Sequence, residues 1–282
     1  MRSITVVMQG GLGNQLFQYF AGANLASKCG LPLILELGDL GFAKAQRKFE
    51  LGDLVLPYEY RTISTRRLFV LAKVKGFAAR FNTSLQRGTF VSKEIGFDVL
   101  LENTRSIKKI KGYFQSWRYV QPFKNKFNLF VNTGWTNQMS LKAAIDNPII
   151  MHIRRGDYLK GNESIGVLSI NYFKNALVSL SKMGISGRVW VFTDSPELMD
   201  SFFLDEINAE LISTPSIVTP AEILSVMSLG RATIISNSTF SWWAAYLNQN
   251  GVVIAPDKWF QFQQDPKDLC PENWIRVKSV WQ

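Results

Sequence analysis

The second half of the chain alternates short apolar runs with amphipathic stretches of helical length, and this alternation limits the folds open to it. The apolar runs predict five strands, at Ile149–Ile153, Arg188–Phe192, Glu210–Ile212, Ala232–Ile235 and Val252–Ala255. Helices are predicted between them at about 170–183, 196–203, 221–229 and 240–248. Repeated strand–helix units form parallel sheets with helices on both faces. This half is therefore expected to be a Rossmann-like α/β domain.

The first half opens with a similar unit. A strand at Ile4–Met8 leads into the turn Gln9-Gly-Gly-Leu-Gly13, and a helix from about Asn14 to Cys29 follows. We therefore expect two facing α/β domains, residues 1–145 and 146–282, with the active site in the cleft between them. At 282 residues and 46% hydrophobic composition, the chain can bury two cores of ordinary size.

The glycine-rich turn also imitates a dinucleotide-binding motif. Gly11 and Gly13 open a helix, and Glu36 stands about where a ribose-binding acid is expected. Leu16, however, replaces the third glycine of that motif. The backbone N–H groups of such a turn suit an anionic or hydroxyl-rich ligand, so a nicotinamide-dependent oxidoreductase stays open on these residues alone.

The run His152-Ile-Arg-Arg-Gly-Asp-Tyr158 follows a strand that reads as fully buried, and it holds the only histidine of the chain. Arg154 and Arg155 carry planar, permanently charged guanidinium groups that match pairs of phosphate oxygens, which favours a diphosphate ligand. The alternative is that both arginines are ion-paired with Asp157 or with other surface acids.

Two other predicted strands also end in polar residues. Asp194 stands before Ser195 and Pro196, where Asp194 or Ser195 can cap the next helix, and Asp194 can instead accept hydrogen bonds from a ligand. After the strand at 232–235, three residues carry hydroxyl groups: Ser238, Thr239 and Ser241. These groups suit either a diphosphate ligand or ordinary helix capping.

Composition and charge exclude several classes of function. The chain carries a net charge of +10, and residues 60–145 hold sixteen Lys and Arg against three acids. Nucleic-acid motifs are absent, so the expected partners are an anionic substrate or an anionic membrane face. The segment 65–81 fits either a membrane-interface helix or a packed helix. No apolar run is long enough for a membrane span, no signal peptide is seen, and a cytoplasmic location is expected. Peripheral contact at the inner face of the membrane is left open. Without an Asp-x-Asp or a Cys/His cluster, no metal site is expected.

Four motifs in order carry a family resemblance: QGGLGNQLFQY at 9–19, HIRRGDY at 152–158, VFTDSPEL at 191–198 and SNSTFSWWAAYL at 236–247. Together they resemble the inverting α-1,2-fucosyltransferases. The resemblance implies the two-domain GT-B fold, GDP-fucose as donor without a further cofactor, and a galactose-terminated acceptor. It also implies that Gly11 and Asn14 lie near the donor and sugar, and that Asp194 contacts guanine.

The expected mechanism is a single displacement by the 2-hydroxyl of a terminal β-galactoside. Arg154 and Arg155, with the helix start at Ser238 and Thr239, would stabilise charge on the departing diphosphate. Either Asp157 or Glu163 is the expected general base, and His152 is expected to hold the nucleotide.

The acceptor is expected to be a unit of a surface polysaccharide, with a lipid-linked form as one option. A non-catalytic glycan-binding or membrane-binding protein is the third class of function left open.

Overall fold

A computed structural model describes residues 2–38, 40, 47–64, 89–103, 107–156, 165–199, 201–248 and 251–282. The chain forms two compact units, Met1–Phe127 with Pro266–Leu269, and Asn128–Asp265 with Cys270–Gln282. The first unit thus ends before the boundary near residue 145 that the sequence pattern indicates, and it regains four residues from near the end of the chain.

The first unit is built on one parallel sheet. Its elements are β1 (Ile4–Val7), α1 (Leu12–Cys29), β2 (Leu33–Glu36), β3 (Tyr60–Ile63), β4 (Thr89–Val91), α2 (Val99–Asn103), β5 (Lys109–Lys111), α3 (Trp117–Val120) and a 3₁₀ turn at Gln121–Lys126. The strands lie in the order β3-β2-β1-β5-β4. The strand order reverses between β1 and β5, the position where open α/β sheets place ligands, beyond the carboxyl ends of the strands.

Helix α1 packs closely on this sheet. It ends at Gly30, which adopts the left-handed conformation with φ +63° that a side chain would disfavour. Nearer its middle, Gly22 lies so close to the sheet that an added Cβ would sit 2.2 Å from Cγ2 of Val6. In a dinucleotide-binding turn, the third glycine usually permits close packing of the helix on the strand. Here Gly22 has that function, and Leu16, which replaces the third glycine, is fully buried.

Residues 266–269 are fastened to the first unit by backbone hydrogen bonds. The carbonyl of Lys267 accepts from Phe97 N (2.9 Å), and that of Asp268 accepts from Trp117 N (3.2 Å) and Ser116 Oγ (2.7 Å). The segment passes next to Gly96, where a Cβ would meet backbone atoms at 2.4 Å.

The second unit holds a six-stranded parallel sheet. Its elements are α4 (Gly134–Asp146), β6 (Ile149–Ile153), α5 (Ile170–Lys182), β7 (Val189–Thr193), a 3₁₀ turn at Pro196–Leu198, α6 (Ser201–Glu206), β8 (Ala209–Leu211), α7 (Pro220–Met227), β9 (Ala232–Ile234), α8 (Thr239–Leu247), β10 (Val252–Pro256) and β11 (Ile275–Val277). The order is β11-β10-β9-β6-β7-β8, with the reversal between β6 and β9. Every residue of β6 is buried, as expected for a central strand covered on both faces.

Hydrogen bonds explain why α4 belongs to the second unit. Thr133 caps α4, and its hydroxyl also donates to Glu222 in the first turn of α7 (2.7 Å). Glu222 in turn completes the cap of α7 with Thr219, and these hydrogen bonds hold the pKa of Glu222 below its usual value. A boundary at 145 would separate α4 from the helix to which it is bonded.

Among the described residues, no helix combines the length and apolar character needed to cross a bilayer. The basic segment 65–81 lies outside the described residues.

We expect Gly22→Ala to lower stability although alanine favours helices over glycine by about 1 kcal/mol. The new methyl group would overlap Val6, and overpacking of this kind costs about 1–3 kcal/mol. Urea unfolding followed by circular dichroism measures the change. Gly134→Ala is the matched control, because a Cβ there meets no described atom within 4 Å. Equal stability of the two variants would contradict the packing argument.

Candidate active site

Asp194 and the arginine turn form the centre of the site. The turn follows β6, and Asp194 follows β7, the neighbouring strand. One carboxylate oxygen of Asp194 accepts from Arg155 N (2.9 Å) and Gly156 N (3.3 Å), and the other pairs with Nη1 of Arg154 at 2.9 Å. Arg154 is thus ion-paired, as one sequence-based alternative held, but with Asp194. Ser195, and not Asp194, occupies the cap position of the next turn, without a side-chain bond.

Gly156 makes this contact sterically possible. A Cβ at this position would lie 2.2 Å from Oδ2 of Asp194 and 3.0 Å from its Cγ. Any larger residue would push the carboxylate away from the arginine turn. The glycine between the arginines and Asp157 in the sequence is therefore required by the packing of Asp194.

His152 is buried in β6 and is uncharged at neutral pH. Its side chain lies 3.1 Å, Nδ1 to Oγ, from Ser236, which follows β9. The pKa of His152 is lowered to about 4, mainly by burial and in addition by the charge of Arg154, while Asp194 acts in the opposite direction. The imidazole is therefore a neutral, buried group beside Ser236, and its expected role in holding the nucleotide stays a prediction.

The start of α8 faces the same end of the sheet, because it follows β9 beside β6. Ser238 caps the helix, with its hydroxyl accepting from Phe240 N at 3.3 Å. Thr239 is the first helical residue and is half-buried. Ser241 is fully buried and donates to the carbonyl groups of Ser236 and Ser238 (3.2 and 3.0 Å), so it closes the turn at the start of the helix, which agrees with the capping alternative.

These groups create a positive environment at the point where the strand order reverses. Two guanidinium groups follow β6, and the positive end of the α8 dipole lies at the end of the adjacent strand. One carboxylate, Asp194, offsets part of that charge. Such an arrangement can bind a diphosphate through charge-assisted hydrogen bonds and helix N–H groups.

In the first unit, two glutamines hold the glycine-rich turn. The amide of Gln18 accepts from Gln9 N (2.9 Å) and donates to Gln9 O (3.1 Å). The amide of Gln15 donates to Gly10 O and Lys48 O and accepts from Glu50 N. Both side chains are fully buried. They fix the glycine-rich turn with Gly11, the cap residue of α1, and with it the first turn of α1, where Asn14 lies.

The contacts of this turn disfavour a bound dinucleotide. Leu12 N, at the start of α1, donates to the carboxylate of Glu50, whose pKa burial raises and this bond partly lowers. Glu36, the candidate ribose-binding acid, is ion-paired with Lys109. Two groups that a nicotinamide cofactor would need are therefore engaged within the protein.

Asn14 is bonded to a residue from the end of β5. Its Oδ1 accepts from Nε2 of Gln115 at 3.1 Å. The candidate residues thus fall into two sets. Gly11 and Asn14 are in the first unit, and the second unit holds His152, Arg154, Arg155, Asp194, Ser238 and Thr239. The two candidate bases, Asp157 and Glu163, lie outside the described residues, so their role stays a prediction.

Sequence reasoning did not identify the supporting residues of either set. Gly156, Gln15 and Gln18 stand within the motifs at 9–19 and 152–158, so their presence was visible while their contacts were not. Ser236 could have been suspected because it is the first residue after a predicted strand beside the arginine strand.

Comparisons with known proteins agree on one family. The family model described as glycosyl transferase family 11 matches residues 110–278. An O-antigen biosynthesis glycosyltransferase, WbnK, from Escherichia coli is 27% identical over 96% of this chain and 99% of its own length. An α-1,2-colitosyltransferase from E. coli is 26% identical, covering 99% and 100%. A galactoside 2-α-L-fucosyltransferase from Caenorhabditis elegans is 23% identical, covering 97% and 79%.

A solved structure shares the fold. The structure of POFUT1 in complex with GDP aligns with a TM-score of 0.50 at 11% identity, covering 89% of this chain and 97% of that one. At this identity the likeness concerns the fold alone. With the two parallel sheets, it confirms the predicted α/β class with two Rossmann-like domains of the GT-B type.

The titration of His152 provides a direct test of its environment. Folding lowers its pKa from 6.5 to about 4, so the unfolded chain binds the proton more readily in this window. The free energy of unfolding is therefore highest above pH 6.5, and it falls by about 3 kcal/mol as the pH is lowered to 4.

Because His152 is the only histidine, one imidazole signal in a ¹³C-histidine-labelled sample reports it without assignment. We expect no titration of the folded protein between pH 8 and 5.5. His152→Gln should lack the corresponding loss of stability between pH 6.5 and 4. A midpoint near 6.5 in the folded protein would show that the imidazole is hydrated.

Proposed function

The chain belongs to glycosyl transferase family 11, and we propose that it transfers L-fucose from GDP-β-L-fucose to the 2-hydroxyl of a terminal β-galactoside, forming an α-1,2 linkage. The observation that carries the proposal is the arginine turn locked by Asp194 beside the start of α8. The names of two relatives support the α-1,2 linkage, and one of them supports both fucose and a galactoside acceptor.

Binding of the donor rests on charge. The guanidinium groups of Arg154 and Arg155 and the N–H groups of α8 take the diphosphate, and His152 and Ser238 line the same strand ends. Thr239 adds a hydroxyl at the first helical position. For Gly11 and Asn14, which belong to the first unit, the family resemblance implies contact with the donor or its sugar. No metal ion or further cofactor is included in the proposal, because the arginines supply the positive charge.

Asp194 contributes by fixing the geometry of the arginines. Its pair with Arg154 sets the plane of that guanidinium before the donor binds, and its bonds to Arg155 N and Gly156 N set the path of the backbone. Groups already aligned with the charge that develops in a transition state need no reorganisation during the reaction, which is the main source of electrostatic catalysis. The guanine contact of Asp194 that the family resemblance implies would compete with these bonds.

The reaction is a single displacement with inversion. The acceptor oxygen attacks the anomeric carbon, the bond to the β-phosphate breaks, and the departing GDP carries the negative charge that Arg154 stabilises. The acceptor hydroxyl loses its proton to a carboxylate, Asp157 or Glu163, which would contribute about 10²–10⁴-fold. His152 is not assigned this role in the proposal, because its side chain is buried in β6 and its Nδ1 lies 3.1 Å from Oγ of Ser236.

Colitose is the second candidate for the transferred sugar. One relative is named an α-1,2-colitosyltransferase and is 26% identical, slightly more than the fucosyltransferase relative. Assays with both GDP-linked sugars decide between them.

The biological setting is part of the same proposal. WbnK is named for O-antigen biosynthesis, which supports a surface-polysaccharide acceptor, including one carried on a lipid. Such an acceptor places the enzyme in the cytoplasm, at the inner face of the membrane. Peripheral contact with an anionic membrane stays a prediction from the basic composition of residues 60–145.

Release of GDP from GDP-fucose with lactose as acceptor, in the presence of EDTA, tests the reaction. We expect lactose-dependent release by the wild type and a fall of about 10²–10³-fold for Arg154→Ala, because a preorganised donor is lost. Arg188→Ala is the matched control. It removes the same charge from a half-exposed arginine bonded to Glu210 and should keep wild-type activity.

No release with either GDP-sugar, with or without Mg²⁺, together with no GDP binding by calorimetry, would overturn the transferase proposal in favour of a non-catalytic binding protein. Release that requires Mg²⁺ would overturn only metal independence.

Gly156→Ala tests the role of Asp194 without touching any charge. The methyl group would overlap the Asp194 carboxylate and break its alignment with Arg154, so we expect GDP affinity to fall about 10- to 100-fold. Calorimetry measures the affinity, and Gly134→Ala is the control. Unchanged affinity in a folded Gly156→Ala protein would contradict the positioning role.

A further inference from the structure

The end of β5 in the first unit carries a buried amide with unused hydrogen-bonding capacity. Gln115 follows β5 by four residues and is only 7% exposed. Its Nε2 donates to Asn14, while its Oε1 is buried and has no hydrogen-bond partner among the described residues. A buried carbonyl oxygen without a partner is costly. Such a group in a native protein calls for an explanation, and a bound ligand is one.

The backbone beside Gln115 is strained. Phe114, fully buried, has φ +53°, a conformation that residues with side chains seldom adopt. It is held there by hydrogen bonds from Gln115 N to Ile95 O (2.7 Å) and from Ser116 N to Phe114 O (2.8 Å). Strain of this kind persists where the surroundings enforce it, and it is concentrated at functional sites. Here it directs the chain so that the Gln115 amide meets Asn14.

The position in the sheet is that of a ligand site. β5 and β1 are neighbours, and the strand order reverses between them. The two strand ends are also joined by Gln9, whose side chain donates to Gly112 O at 3.4 Å. Asn14 is only half-buried. The hydrogen bond between Gln115 and Asn14 thus connects a buried acceptor, Gln115 Oε1, with the partly exposed amide of Asn14.

The chemistry of the pair fits a sugar hydroxyl. A hydroxyl both donates and accepts, so it can give its hydrogen to Gln115 Oε1. Tyr113, two residues earlier, is 41% exposed and offers an aromatic face. An anion is a poor match, because a carbonyl oxygen repels it.

We propose that Gln115, held by Asn14, accepts a hydrogen bond from a sugar hydroxyl, either of the acceptor galactoside or of the sugar carried by the donor. This rests on the proposed function and adds a residue that neither the motifs' resemblance nor the comparisons assign. Gln115 then acts in substrate selection, since a site built to bond a hydroxyl discriminates against analogues that lack it.

Gln115→Met is the test, because methionine keeps the length of the side chain and removes both polar groups. We expect KM for one of the two substrates, lactose or the GDP-sugar, to rise about tenfold, and KM for the other to stay within twofold. Thermal stability should be retained, since the replaced group includes an unsatisfied oxygen. A rise for lactose assigns the hydroxyl to the acceptor, and a rise for the GDP-sugar assigns it to the donor.

Gln18→Met is the matched control. Gln18 is also a buried amide of the same unit, but both of its polar groups are bonded to Gln9, so its replacement should lower the melting temperature. Wild-type KM values in Gln115→Met overturn the proposal. A general loss of stability that raises both KM values, as expected for Gln18→Met, also overturns it, because the role of Gln115 is then structural.

Failure of the proposed function is distinguishable from failure of this inference. If the wild type releases no GDP, saturation-transfer NMR with lactose and with GDP-fucose replaces the kinetics. Saturation transfer from the protein to sugar protons that is present in the wild type and lost in Gln115→Met supports the inference. Transfer that is absent from the wild type, or unchanged in the variant, overturns it.

Discussion

The rest of the site depends on the bonds that the carboxylate of Asp194 makes with the arginine turn. Residues 39 positions apart meet through it, because β6 and β7 are parallel neighbours and end at the same edge of the sheet. It satisfies two backbone N–H groups of a turn and orients a guanidinium at once. Arg154, Gly156 and Asp194 therefore depend on one another, and the losses of activity caused by replacing them singly should not add when the replacements are combined.

The buried histidine complements these residues. Protonation of His152 would place a positive charge in a buried position near Arg154, and the imidazole stays neutral instead. The positive charge at the strand ends therefore resides on guanidinium groups, which do not titrate in the physiological range.

The sequence was sufficient for the central strands, since β6 and β7 are continuous apolar runs that leave little choice of element. It failed where local backbone geometry decides. The helix predicted at 196–203 is divided into a 3₁₀ turn and α6, because Met199 is extended. The candidate site residues are predictions from chemical type. Their partners were not, because the Asp194 and Gln115 contacts depend on which strands are neighbours, and a single sequence does not record that.

The return of residues 266–269 to the first unit has a consequence for how this protein can be made and recombined. The backbone bonds of Phe97 and Trp117 to Lys267 and Asp268 form only once residues 266–269 have been synthesised, so the first unit completes its structure after most of the second unit has been made. Chimeras that exchange this unit between relatives by cutting once, near residue 127, would separate it from its last segment. A functional exchange has to carry two pieces of the sequence.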